Sequence, residues 1–248
     1  MTALPSSPSL APSSSKERFI HRLFDRISPS YDLFNRISSL GMDQGWRRRA
    51  IRSLQLVPGT RVLDLAAGTG DLADLAAKEI VPLGQVTACD LSFPMLRAAL
   101  KKFRKVPAAF WHVRCVQGKA EQLPFDSGSF DAAVMAFALR NVSDLEATFQ
   151  EFHRVLRPEG RLALLEFGRP HNLFLQAGHW IWLTTTIPVL GLFFTGSIRP
   201  FFYLRDSILR FMNPQQVVQR LQEAGFQEVQ AHPLQGGIVF LYTAQAGG

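Results

Sequence analysis

Between residues 60 and 170 short apolar runs alternate with longer amphipathic ones. RVLDLAA (61–67), QVTACDLS (85–92), FWHVRCVQG (110–118), FDAAVMAFAL (130–139) and GRLALLEFG (160–168) have the length and near-continuous hydrophobicity of strands covered on both faces. DLADLAAKEI (71–80), PMLRAALKKFR (94–104) and DLEATFQEFHRVL (144–156) repeat their apolar positions every three to four residues, which predicts helices. Such alternation builds a parallel sheet with helices on both faces. Further on, PQQVVQRLQEAGF (214–226) predicts another helix, and EVQAHPL (228–234) with GIVFLYTAQ (237–245) a closing hairpin-like pair. The expected fold is therefore α/β and Rossmann-like, with a mostly parallel, seven-stranded sheet whose last strand is antiparallel. Ahead of it, Phe19, Leu23 and Ile27, then Leu33, Ile37 and Leu40, mark two or three short helices within 16–56, an N-terminal helical cap.

One run breaks the alternation. HWIWLTTTIPVLGLFFTGSI (179–198) is uncharged and about long enough to cross a bilayer, but Pro188, Gly191, Gly196 and four threonines interrupt it. A buried core helix and a membrane span are the alternatives to the favoured reading, a greasy lid or membrane-facing helix pair.

Composition adds bounds. The 248 residues are 47% hydrophobic, enough for one core, so residues 16–248 are expected to form one domain. The first fifteen residues are rich in Ser and Pro and carry no charge, which predicts a disordered tail. They lack the basic start and apolar core of a signal peptide, and the Arg of a transit peptide. Cys89 and Cys115 fall in strand-like runs and read as reduced thiols of a cytoplasmic protein. Net charge is +7, and residues 16–52 alone carry nine Lys/Arg against four Asp/Glu, a net +5. Arg47, Arg48 and Arg49 are consecutive, and residues 97–105 add a second basic cluster. An anionic membrane face, nucleic acid and a merely solvated surface all fit this charge.

The strongest local signal is VLDLAAGTGDL (62–72), in which a strand bearing Asp64 passes through Gly68-Thr69-Gly70 into a helix. Glycines there let backbone approach a ligand closely, and a helix N-terminus suits a carboxylate or phosphate. Asp90, followed by Leu91, ends the second strand, where a carboxylate can accept bonds from ribose hydroxyls. Asp71, beside the turn, would repel a pyrophosphate and suit the cationic groups of S-adenosylmethionine; it could also cap a helix beginning at Leu72.

Beyond this turn, YDLFNRISSLGMDQGW (31–46), AEQLPF (120–125), FALRNV (137–142), RVLRPEGRLALLEF (154–167) and YLRDSI (203–208) occur in order. Together with VLDLAAGTGDL they resemble the signatures of the ubiquinone/menaquinone biosynthesis C-methyltransferases, over residues 24–242. The resemblance implies a class I methyltransferase that uses S-adenosylmethionine, with 57–170 as its cofactor-binding core, 171–212 as an apolar substrate lid and 213–248 as the closing helix and strands. It implies methylation of a ring carbon on a reduced polyprenylated quinone, demethylmenaquinol above all. Thr69 and Asp90 would then contact the cofactor, Lys119 and Ala120 would lie beside its adenine, and Ala136 would line its pocket. Lys119 stands where the family usually has Asp or Asn, and Asp43 where it frequently has His.

A hydroquinone carbon becomes nucleophilic when a ring hydroxyl loses its proton, which calls for a base or for stabilisation of the phenolate. Arg140, after the fourth strand, is the candidate for that task, with Asn141 orienting it. Asp32 and Tyr31 are the next candidates, on cap helices expected over the pocket. The six histidines show no metal-ligand spacing, so no metal is expected. Neither the aromatic-and-basic platforms of single-strand binders nor an N-P-P-Y acceptor motif occurs, which argues against nucleic acid. The expected partners are a lipophilic quinol and an anionic membrane surface touched peripherally, and a homodimer is compatible. A lipid N- or O-methyltransferase and a non-catalytic S-adenosylmethionine-binding protein remain as alternatives.

Overall fold

The computed structural model describes residues 31–106, 112–170, 172–195 and 198–248, without the side chains of 31, 194, 195, 199 and 200. The predicted tail and the first cap segment lie outside these residues. The five apolar runs become β1 (Arg61–Leu65), β2 (Gln85–Asp90), β3 (Val113–Gln117), β4 (Phe130–Ala136) and β5 (Leu156–Phe167). With β6 (Phe226–Leu234) and β7 (Val239–Ala246) they form one seven-stranded sheet in the order β3-β2-β1-β4-β5-β7-β6. Pairings among β1 to β5 are parallel, and β7 is antiparallel to both β5 and β6. The expected architecture is present, with the antiparallel strand inserted next to the edge.

Alternation along the strands sorts side chains into two cores. Val62, Ala88, Ala132 and Val134 face one layer, while Leu63, Cys89, Ala133 and Met135 face the other. The first layer is α2 (Met42–Ser53), α3 (Asp71–Ile80) and α4 (Phe93–Phe103), the second α5 (Leu145–Val155) and α9 (Pro214–Glu223). Caps set several starts: the Asp144 carboxylate accepts from the Ala147 N–H at 3.0 Å, and Asn213 and Gln216 form a reciprocal capping box. β5 begins at Leu156, four residues before its expected start. Phe130 pairs with Leu156 and Ala132 with Arg161, so residues 157–160 bulge out between the two pairs.

The cap and the apolar run make a third, smaller core. Phe34 of α1 (Tyr31–Ser38) packs with Leu183, Ile187, Phe201 and Ile208. The run itself is helical: α6 (Leu173–Ile181), a π turn (Trp182–Thr186) and α7 (Ile187–Thr195), after which α8 (Arg199–Arg210) returns toward the sheet. Gly191 permits the close crossing, since a Cβ there would sit 1.9 Å from the Phe201 ring. Among the described residues no helix is long and apolar enough to cross a membrane.

Candidate active site

The site lies where neighbouring crossovers diverge, at the carboxyl ends of β1 and β4, the usual ligand position in open α/β sheets. A narrow cavity of about 150 Å³ opens there, bounded by Gly68 after β1, Asp90 at the end of β2 and Leu91 after it, Lys119 and Ala120 after β3, and Ala136 at the end of β4. These six expected cofactor residues thus meet around one space. Asp90 is fixed by two backbone donors: Gly68 N–H reaches Oδ2 and Ser92 N–H reaches Oδ1, each at 2.8 Å. These bonds orient the carboxylate at the strand end, where it can accept from vicinal hydroxyls. Gly68 has φ +56, and a Cβ there would meet nothing within 4 Å, because that side is the open cavity.

Four other expected residues are placed differently. Asp64 is buried within β1, accepts the Ala73 N–H at 2.9 Å and is not part of the cavity wall. Burial pushes its carboxyl up to about 8, against the lowering influence of Arg47. Its task is to hold the start of α3. Gly70, not Asp71, caps that helix, with φ +81 and no room for a Cβ against Phe103. Asp71 turns away from the cavity: Lys102 Nζ lies 2.5 Å and Arg47 Nε 3.7 Å from its carboxylate. Burial alone would raise this carboxyl, but Arg47 and Lys102 outweigh it and hold it below the usual range. Its charge is therefore compensated within the protein, which removes the electrostatic argument for contact with a cationic ligand. Thr69 donates its hydroxyl to Asp32, whose second oxygen accepts from Lys102 Nζ at 2.7 Å.

Asp32 thus ties the cap to the glycine turn and borders neither this cavity nor its neighbour. The side chain of Tyr31 lies outside the described residues. Arg47 is also buried, 3.7 Å from Asp43, and the exposed arginines of α2 are Arg48, Arg49 and Arg52.

A second cavity, of about 340 Å³, adjoins the first and is largely apolar. Phe34, Trp46 and Met42 of the cap, Leu175, Trp182 and Leu183 of the α6 segment, and Leu204 and Ile208 of α8 contribute to its wall. Phe137 and Asn141 belong to both cavities. Phe137 takes φ +59, uncommon for a bulky residue, at the end of β4. Its ring lies 4.6 Å from Phe167 and 6.1 Å from Trp46, with the Arg47 guanidinium 5.5 Å above it. Its carbonyl accepts from Arg140 Nη1 at 2.6 Å. Backbone strain held by so many contacts is characteristic of functional positions.

Arg140 and Asn141 lie on the short 3-10 turn Leu139–Asn141 that follows, and both face the apolar cavity. Arg140 Nη1 also bonds Glu166 Oε1 at 2.6 Å, and its backbone N–H bonds Oε2 at 3.2 Å. Glu166 is fully buried. The Tyr203 hydroxyl lies 3.4 Å from Asn141 Oδ1. Sequence reading passed over Glu166, Phe137 and Tyr203 as site residues although all three lie in quoted motifs; a carboxylate inside the apolar run LALLEF was the signal for Glu166.

Comparison with known proteins bears on the fold and the family. The fold resembles a Thermotoga maritima structure described as a SAM-dependent methyltransferase, possible histamine N-methyltransferase, with a TM-score of 0.62 and 20% identity over 92% of this chain and 99% of the other. In sequence, the chain is 40% identical to the ubiquinone/menaquinone biosynthesis C-methyltransferase UbiE of Syntrophotalea carbinolica, over 89% of this chain and 91% of that one. It is also 40% identical to the demethylmenaquinone methyltransferase of Thermotoga maritima, over 86% and 90% of the two chains. The model of the ubiE/COQ5 methyltransferase family matches residues 13–246, and the chain belongs to that family.

Proposed function

We propose that the protein methylates a ring carbon of a reduced, polyprenylated quinone, with S-adenosylmethionine as methyl donor and demethylmenaquinol as the foremost acceptor. One observation carries this reading: a narrow cavity with a backbone-anchored carboxylate shares Phe137 and Asn141 with a larger apolar cavity. The narrow side fits the donor, with Asp90 for the ribose hydroxyls and Lys119 and Ala120 beside the base. When bound, the donor supplies an electrophilic sulfonium methyl group. The residues of the chain then orient the acceptor and exclude water. The apolar walls suit an aromatic nucleus and the first part of its tail, and Arg140 and Asn141 are among the polar groups facing that nucleus. Because Glu166 neutralises Arg140, the pair offers oriented dipoles more than net charge to a developing phenolate.

An acceptor of this kind resides in a bilayer, and the surface has features to match. Phe174 is 88%, Phe193 83%, Leu173 77% and Trp180 56% exposed on α6 and α7. We read these side chains as a peripheral membrane contact that serves the apolar cavity. Trp182 is not part of it, since it turns inward and donates to the Ser38 carbonyl at 3.1 Å. The exposed Arg48, Arg49 and Arg52 could contribute attraction to anionic lipid.

The deciding experiment incubates the purified protein anaerobically with S-adenosylmethionine and a reduced demethylnaphthoquinol bearing a short prenyl tail, then reads the product by mass spectrometry. A ring-methylated quinone is expected. Methylation only of a phospholipid or of a quinol oxygen would overturn the reading in favour of lipid N- or O-methylation, and binding of S-adenosylmethionine without any product would favour a non-catalytic protein.

A further inference from the structure

Tyr203 rises from α8 between the buried Phe201 and the cavity-lining Leu204. Its hydroxyl borders the apolar cavity 3.4 Å from Asn141 Oδ1, and Asn141 borders both cavities. The hydroxyl therefore stands near the junction that the acceptor ring must reach. Hydrogen bonds between oxygens are usually 2.5–3.0 Å long, so this contact is loose, and a hydroxyl can rotate its proton toward a better acceptor. Arg140, which also borders the cavity, bonds Glu166 and the Phe137 carbonyl through Nη1, each at 2.6 Å.

We propose that the Tyr203 hydroxyl donates the hydrogen bond that holds a ring oxygen of the quinol as that oxygen ionises. This inference rests on the quinol reading above and assigns the group that recognises the acceptor's hydroxyl. The ring carbon gains the methyl as the carbon–sulfur bond breaks; the ring oxygen is reprotonated as that carbon's own hydrogen leaves, so one proton is released overall. Tyr203 keeps its proton throughout, acting as a donor and not as a base. Burial pushes the Tyr203 phenol above its ordinary value, although Arg140 acts the other way, so it stays protonated in the neutral range. The other ionisable groups bordering the cavity are Asp43 and Arg47 from α2, His179 from α6 and Arg140 with Glu166 beneath it, and the substitution Tyr203→Phe removes none of them.

The test compares the full-length wild-type protein with Tyr203→Phe on the reduced demethylnaphthoquinol between pH 6 and 10. Titration with S-adenosylmethionine should show unchanged affinity, confirming an intact fold. At pH 7 the variant's kcat should fall about tenfold, the equivalent of one pKa unit. The deficit should shrink at alkaline pH, where the quinol ionises without help. Equal rates at pH 7, or a deficit of the same size at every pH, would overturn the proposal. A wild-type protein that does not methylate the quinol would instead sink the functional reading. A second measurement needs no turnover: the absorbance of bound 2-naphthol reports its ionisation. Its bound pKa should be about one unit lower in wild type than in Tyr203→Phe, and identical values would refute the assignment even if the rates differ.

Discussion

Arg140 and Glu166 form a buried ion pair, with Nη1 2.6 Å from Oε1 and side chains 7% and 0% exposed. The same carboxylate accepts the backbone N–H groups of Arg140 and Phe167, so it fixes the turn after β4 to the end of β5. The guanidinium lies 5.2 Å above the Phe167 ring. Breaking such a pair from one side leaves a buried charge uncompensated, at a cost of about 3–5 kcal/mol. Glu166→Gln should therefore lower both the melting temperature and the turnover, while the double variant Arg140→Met/Glu166→Gln regains stability but not turnover. Thermal denaturation of the three proteins checks this, and equal stabilities of the single and double variants would show that the pair is not coupled.

Arg140→Leu should reduce turnover of the quinol far more than it weakens binding of S-adenosylmethionine, because Arg140 borders the acceptor cavity and not the narrow one. Steady-state kinetics beside calorimetric titration separate the two effects. Near-normal turnover would leave Arg140 with a structural role only.

Asp90→Ala should weaken S-adenosylmethionine binding at least tenfold. Hydrogen bonds to a charged group contribute roughly 1.5–3 kcal/mol each, and the carboxylate also orders Gly68 and Ser92. Titration calorimetry gives the answer directly, and an unchanged affinity would move the ribose site elsewhere.

Two carboxyls should leave opposite marks on stability against pH. Asp71 is held below its unfolded value of 3.8, so its contribution is full above that value and disappears as pH falls through the folded pKa. Asp71→Asn should therefore be less stable than wild type at pH 6, with the difference closing in strong acid.

Asp64 behaves in the reverse sense. Its pKa of about 8 means that the native state retains a proton that the unfolded state has lost between pH 4 and 8. Stability of the ligand-free protein should fall across that interval, by at most about 1.4 kcal/mol per pH unit. Asp64→Asn should flatten the slope. Urea denaturation at pH 5 and pH 8 measures it, and identical slopes would mean that Asp64 ionises normally.

The exposed apolar side chains of α6 and α7 should carry the protein onto vesicles. Flotation with anionic liposomes should recover it at low salt and less of it at high salt, and Phe174→Asp with Phe193→Asp should abolish recovery on both anionic and neutral vesicles. Wild-type protein that stays at the bottom with every vesicle type would remove the membrane reading.

Reading along the chain reached the sheet and its helices because burial on two faces writes itself locally. A run such as VLDLAA or AAVMAFAL has to be a covered strand, and the alternating helices have to cover it. The same local logic placed Gly68 and Asp90, at or just past the ends of strands, whereas Lys119 and Ala136 came from the family resemblance; all four border one cavity because strand ends converge in this fold. Charge partners are not local. Asp32, Thr69, Asp71, Arg47 and Lys102 come from four separate stretches, and only their packing showed that Asp71 faces cations of its own chain and not a ligand. Glu166 looked like one polar letter in an apolar strand until the chain folded Arg140 onto it, 26 residues away. The apolar run from 179 was ambiguous for the same reason: hydrophobicity fixes that a surface must be covered, whereas the crossing at Gly191 and Phe201 decides what covers it.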